Sequence, residues 1–201
     1  MQNLIIRPET PSDYVPMEHL VRDAFWDFYH PGAAEHFLVH KLRSDPACLR
    51  DCCFAAELEG ELAGGIWYAL STIEQPGGRK LAVPSLGPIA VAPAFQKRGV
   101  GSALIRHTIP LVKAAGHPAV VLFGDPAYYG RFGFEPGKNA GLAASDGNFY
   151  DVLQVLRLDP AADLSGRYFE GGAYAFDEAE LAAFDAKFPP REKHVLPTQL
   201  P

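Results

Sequence analysis

Gly99 and Gly101 constrain this chain more than any other pair of residues, because of what lies on either side of them. The run Leu86-Gly87-Pro88-Ile89-Ala90-Val91 is apolar and reads as a strand. Ala92-Pro93-Ala94-Phe95 turns the chain, Gln96-Lys97-Arg98-Gly99-Val100-Gly101 follows, and Ser102-Ala103-Leu104 opens a helical run. The first N–H groups of a helix have no internal acceptor, and the helix dipole adds partial positive charge at that end. A strand that turns directly into a helix therefore makes an anion site suited to a pyrophosphate. Gly99 and Gly101 lack a Cβ, so phosphate oxygens can approach the main chain there. Lys97 and Arg98 add charge beside them.

Two other phosphate loops fail on these residues. A P-loop needs Gly-Lys followed by Ser or Thr, and Gly137-Lys138 is followed by Asn139. A dinucleotide fingerprint needs a third glycine where Leu104 stands. No Gly-x-Ser-x-Gly elbow is present, so a hydrolase of that type finds no support.

At 201 residues the chain suits one domain with an extension or one large domain. The net charge of −6 and the lack of a basic stripe interleaved with aromatics argue against nucleic acid as a partner. Cys48, Cys52 and Cys53 form no Cys-x-x-Cys pair and have no histidine cluster beside them. They read as small buried residues, and no metal site is expected. No basic-plus-apolar leader and no run long enough to span a bilayer is visible, so the cytoplasm is the expected compartment and no membrane partner is expected.

Asn3–Arg7 reads as a first strand, and Thr10-Pro11 as a helix cap and first turn. Met17, Leu20, Val21, Ala24, Phe25 and Phe28 follow at helical spacing, and Ala34, Leu38 and Leu42 mark a second helix. His30, His36 and His40 read as surface or helix-face residues. Cys52–Leu58 and Leu62–Leu70 alternate about Gly60 as a hairpin. Leu81–Val91 is the next strand, in which Pro84 and Pro88 predict a bulge or an unpaired side. Pro110 is expected to kink the helix after the glycine loop, because the Arg106 carbonyl loses its donor. Ala119–Phe123 reads as a strand buried on both faces, and Val152–Leu158 as a late strand. A helical stripe of Leu181, Phe184 and Phe188 follows, then a tail from Pro189 to Pro201 that is irregular or ordered only by packing.

Gln96-x-x-Gly99-x-Gly101 after Ile89-Ala90-Val91-Ala92-Pro93, with Tyr129-x-x-x-Gly133-Phe134 one strand and one short helix later, resembles the GNAT (Gcn5-related N-acetyltransferase) superfamily. The strings Gly124–Phe134, Ala34–Arg43 and Gln154–Leu158 are similar to its YhbS-type bacterial branch, and the tail from Tyr174 to Phe188 resembles it more loosely. The resemblance implies an α/β (α+β) GNAT fold: a mixed central sheet with a splayed parallel strand pair and helices on both faces. It implies a GNAT domain over residues 3–158, with residues 159–201 as an extension packed on it.

The same resemblance implies acetyl-CoA as cosubstrate and a small-molecule or peptide amine as acceptor, in a monomer or homodimer. The pantetheine arm would lie along Ile89, Ala90 and Val91, with an oxyanion-polarising N–H near Ile89. Gln96, Lys97, Arg98, Gly99, Val100, Gly101 and Ser102 map to the pyrophosphate loop. Tyr129 maps to the tyrosine near the thioester sulfur, where a phenol can donate a proton; its other reading is aromatic packing. Asp125 stands where it could orient the amine or act as a base through water, and it is counted with the cosubstrate-binding residues, although a helix cap before Pro126 is the simpler role. No general base is identified, and Glu57, Glu59 and Glu135 qualify by residue type only. A non-catalytic acyl-CoA sensor is the alternative to an enzyme.

Overall fold

The computed structural model describes residues 3–197 and Gln199. The tail expected to be irregular has no helix or strand from Pro189 through Pro197, and Thr198, Leu200 and Pro201 lie outside the described residues. Strands are β1 (Leu4–Pro8), β2 (Phe54–Leu58), β3 (Glu61–Glu74), β4 (Lys80–Val91), β5 (Ala119–Phe123), β6 (Glu135–Pro136), β7 (Leu142–Ala144), β8 (Leu153–Arg157) and β9 (Gly166–Phe169). Helices are α1 (Tyr14–Phe25), α2 (Glu35–Leu42), α3 (Val100–Ala114), α4 (Pro126–Tyr129) and α5 (Glu178–Asp185).

The strands form one sheet in the order β1-β2-β3-β4-β5-β8-β6, with β9 joined to β3 and β7. The chain beyond Leu158 thus contributes a strand to the central sheet: Phe169, Tyr168 and Arg167 of β9 face Thr72, Ile73 and Glu74 of β3. Glu59 and Gly60, both at positive φ, make the tight β2–β3 turn.

Alternation along the strands sorts the core onto two faces. Phe54, Ala56, Leu58, Ile66 and Tyr68 pack with Leu104, Ile105 and Val112 of α3. Cys53, Ala55, Trp67 and Ala69 pack with Met17, Leu20 and Val21 of α1 and with Val39 and Leu42 of α2. Fully buried leucines and isoleucines of this kind contribute roughly 2–3 kcal/mol each. Tyr68 and Thr108 share a buried 2.8 Å hydrogen bond that ties β3 to α3. α3 continues through Pro110 to Ala114 as one helix.

His36 departs from expectation. It is fully buried rather than on a surface, because the tail helix α5 closes over α2 and packs its Phe184, with Phe188 just after the helix, against the ring. Phe123, expected inside a doubly buried strand, is 43% exposed because β5 ends there at the mouth of a cleft.

Candidate active site

β4 and β5 are parallel and meet at a single register pair, Ser85 with Val121. Beyond it β4 runs on to Val91 while staying paired with β3 on its other side. The sequence expectation of an irregularity near Pro88 is met: the β3 register shifts between Ile66 and Tyr68, so Gly87 and Pro88 lie opposite Trp67 as a bulge.

Main-chain direction past the bulge follows from alternation. The Ala92 N–H donates to the Ala63 carbonyl (2.9 Å), so Ala92 faces β3. Ala90 faces the same way, and Ile89 and Val91 turn their N–H and C=O groups to the opposite side, into the split. The Gln96 side-chain amide donates to the Val91 carbonyl (3.3 Å) from that side. Tyr174 closes the root of the split, its hydroxyl 3.1 Å from the carbonyls of both Ser85 and Gly87.

The loop after β4 exposes a second set of donors. Lys97 and Gly99 have φ of 60° and 85°, in the left-handed region, and Gly99 caps α3. Among the described residues, no N–H from Lys97 through Ser102 has an acceptor, whereas the next one, Ala103, donates to Gly99 (3.0 Å). Lys97, Gly99, Val100, Gly101 and Ser102 line a cleft of about 560 Å³ with Gln96, Tyr128 and Arg131. A Cβ on Gly101 would stand 2.9 Å from the Tyr128 hydroxyl, so a side chain there would crowd the cradle.

Of the basic pair, Lys97 lines this cleft. Arg98 turns away to pair with Glu59. Arg131, which sequence reasoning passed over, stands in the cleft with its guanidinium 4.2 Å from the Tyr128 ring centre and its Nε donating to the Tyr128 carbonyl (3.0 Å).

A second cleft of about 510 Å³ holds the split itself and shares Val91, Gln96, Gly101 and Tyr128 with the first. Ile89, Ala90 and Tyr129 line it, so the strand, loop and tyrosine singled out in the sequence come together. The Tyr129 hydroxyl makes no hydrogen bond to a described residue. Burial pushes its pKa far above the ordinary phenol value, helped by Tyr29, Tyr128 and Asp125, so the group stays protonated at any working pH. Asp125 does not line either cleft; its carboxylate caps α4, accepting from the Ala127 N–H (2.9 Å).

The carboxylates guessed by type are engaged elsewhere. Glu57 pairs with Arg7, Glu59 with Arg98, and Glu135 accepts from Asn139. The acids that do line the cleft are Glu35, in the first turn of α2, and Glu170, just after β9. Neither carried a sequence signal, since an acid in a first helical turn reads as a dipole partner. Among the described residues, no group of three or more His, Cys, Asp or Glu side chains could hold a metal ion, and no helix is long and apolar enough to cross a membrane.

A mixed sheet that opens at a parallel pair, with a helix N-terminus at the head of the opening, is the architecture of the GNAT fold. Residues 5–137 match the family model described as an acetyltransferase (GNAT) domain. The chain is 30% identical over 155 residues to YhbS of Escherichia coli strain K12, an uncharacterised N-acetyltransferase, covering 77% of this chain and 87% of that protein. The crystal structure of E. coli YhbS in complex with CoA superposes with a TM-score of 0.73 at 27% identity, over 85% of this chain and 91% of that one. A GNAT family acetyltransferase from Brucella melitensis in complex with acetyl-CoA gives 0.70 at 27% identity, over 87% and 100%. This chain belongs to the GNAT acetyltransferase family.

Proposed function

We propose that this protein transfers an acetyl group from acetyl-CoA to a primary amine by direct attack within a ternary complex. One observation carries the reading: the main-chain edge at Ile89 and Val91 lines the split together with Tyr129, and that cleft shares Val91, Gln96, Gly101 and Tyr128 with the one lined by the unpaired loop amides. That arrangement fits the ligand. The pantetheine amides would extend β4 as an added strand, and the pyrophosphate would sit on the amides of Lys97 through Ser102, with Gln96, Lys97 and Arg131 around it. Arg98 and Asp125, also expected among the binding residues, are engaged by Glu59 and by the α4 cap instead.

Acetyl-CoA supplies the acyl group as a thioester: a C–N bond forms as the C–S bond breaks, and of the three protons of the incoming ammonium one ends on sulfur, one leaves to solvent and one stays on the amide nitrogen. The chain's own part is orientation and proton handling. An Ile89 N–H aimed into the split polarises the carbonyl. Tyr129, neutral and unbonded, donates toward the leaving sulfur. One of the two cleft carboxylates, Glu35 or Glu170, takes the surplus proton of the reacting ammonium and passes it to solvent. Direct attack is favoured because no cysteine lines the cleft and the Ser85 hydroxyl is occupied, donating to Ser71 (2.5 Å).

The test is calorimetry with CoA and acetyl-CoA, followed by thiol release over a panel of amines. Micromolar binding and intersecting initial-rate lines are expected. Binding without turnover on any amine would make the protein an acyl-CoA sensor, and no binding at millimolar CoA would remove the reading altogether.

A further inference from the structure

The charges around the acceptor end of the cleft have one sign. Glu35 and Glu170 line it, and no lysine, arginine or histidine does. Neither carboxylate has an ion-pair partner among the described residues. Glu35 accepts one bond, from the Ala34 N–H (3.1 Å), and Glu170 accepts none. Interior acids elsewhere are paired: Glu9 and Glu18 with Arg43, and Asp185 with Arg22. Glu35 is half-buried and Glu170 is exposed; a partly desolvated carboxylate without an ion-pair partner, as at Glu35, is costly, and a cationic ligand relieves the cost.

The two acids come from distant segments of the fold. Glu35 stands in the first turn of α2, beyond the Phe25, Phe28 and Tyr29 rings, which touch one another with centroids 4.7–6.3 Å apart. Glu170 follows β9, whose Tyr168 hydroxyl meets Ser85 at the root of the split. The rest of the lining is mostly aromatic and aliphatic. Ring faces attract ammonium groups, and apolar walls suit a methylene chain.

From this arrangement we propose that the acceptor is a straight-chain diamine: one nitrogen receives the acetyl group while the other stays an ammonium, with one carboxylate for each. The inference rests on the acetyl-transfer reading and narrows it. Bonds and protons balance as for any amine: the reacting ammonium gives up two protons, one retained on the released thiol, and the distal ammonium is unchanged.

The experiment compares putrescine and cadaverine with the monoamines of equal chain length, using thiol release by wild type, Glu35→Gln and Glu170→Gln. Calorimetry of the same amines into CoA-loaded protein runs beside it. Because the two carboxylates are unpaired, both variants are expected to keep the wild-type melting temperature and CoA affinity, which checks their fold. In wild type, kcat/KM for the diamines should exceed that for the monoamines at least tenfold, and each variant should reduce that ratio to within threefold of unity. Equal kcat/KM for diamine and monoamine in wild type, or a ratio unchanged in both variants, overturns the diamine assignment while leaving acetyl transfer intact. Diamine binding tighter than monoamine binding, with no transfer to either, supports the cleft chemistry and removes the enzyme reading. Neither binding nor transfer overturns the proposal.

Discussion

The Tyr129 ring lies against the main chain of Gly124: a Cβ built on Gly124 would stand 2.3 Å from Tyr129 Cε2 and 2.8 Å from Cδ2. Gly124 therefore fixes where the phenol sits, from a position five residues earlier at the end of β5. The Gly124 N–H donates to the Val152 carbonyl (2.8 Å), so the backbone cannot retreat without loss of that bond. We expect Gly124→Ala to displace the ring and lower kcat by about tenfold or more, and Tyr129→Phe to lower it by about 10²-fold. KM for acetyl-CoA should stay within a few-fold in both. Steady-state kinetics at saturating amine decides it, and a Tyr129→Phe variant with wild-type kcat would return Tyr129 to aromatic packing.

The glycine loop makes a binding prediction separable from chemistry. A Gly101→Val side chain would enter the amide cradle and push on the Tyr128 hydroxyl. We expect the CoA Kd to rise at least tenfold, about 1.4 kcal/mol. The unliganded melting temperature should move little, because the crowded atom is the far end of a side chain. Unchanged CoA affinity by calorimetry would place the pyrophosphate elsewhere.

What the sequence made legible was local. Gly99 and Gly101, the apolar β4 and α3 all lie within one continuous stretch, so hydrogen-bond inventory alone points to the cradle. Pro88 announced the bulge because proline cannot donate to a ladder. What escaped was assembled from distant segments. Glu35, Glu170 and Tyr174 reach one cleft only because β9 joins β3 and the α1–α2 turn folds over the split. Likewise His36 looked like an ordinary helix residue; its burial is decided by α5, about 150 residues later, which no local periodicity encodes.

Arg43 anchors the face of the sheet behind the site. Its guanidinium donates to Glu9 (2.6 and 3.2 Å) and to Glu18 (2.6 Å) with all three side chains under 10% exposed, and Trp67 Nε1 also donates to Glu9 (3.2 Å). Removing the cation leaves Glu9 with only the Trp67 donor and Glu18 with only His40 (3.0 Å), and breaking a buried pair in this way typically costs about 3–5 kcal/mol. We expect Arg43→Met to lower stability by that amount in urea unfolding. Arg43→Met combined with Glu9→Gln and Glu18→Gln should recover part of the loss. A single variant as stable as wild type would show that these acids are not held by Arg43.

Acid stability should report on His36. Its Nδ1 has no hydrogen-bond partner, and Nε2 lies 3.1 Å from Asp185 Oδ1 without the alignment of a hydrogen bond. Burial holds the imidazole pKa down at about 4, against the attraction of Asp185 and with help from Arg22. The unfolded value is near 6.5, so between about 4 and 6.5 the unfolded chain binds more protons than the folded one. Stability then rises with pH across that window and is lost as pH falls through it, by about 3 kcal/mol in all. Asp185 adds a loss of the same sign at lower pH: burial opposes its ionisation, but Arg22 keeps its carboxyl below the ordinary value. Substituting His36→Leu removes the titrating ring from among Phe184 and Phe188 and leaves the Arg22–Asp185 pair (2.6 Å) in place. Urea unfolding at pH 7 and pH 4.5 should therefore show a steep loss in wild type and a much flatter one in the variant. An identical pH dependence in the two proteins would mean that His36 is not the group that protonates on unfolding.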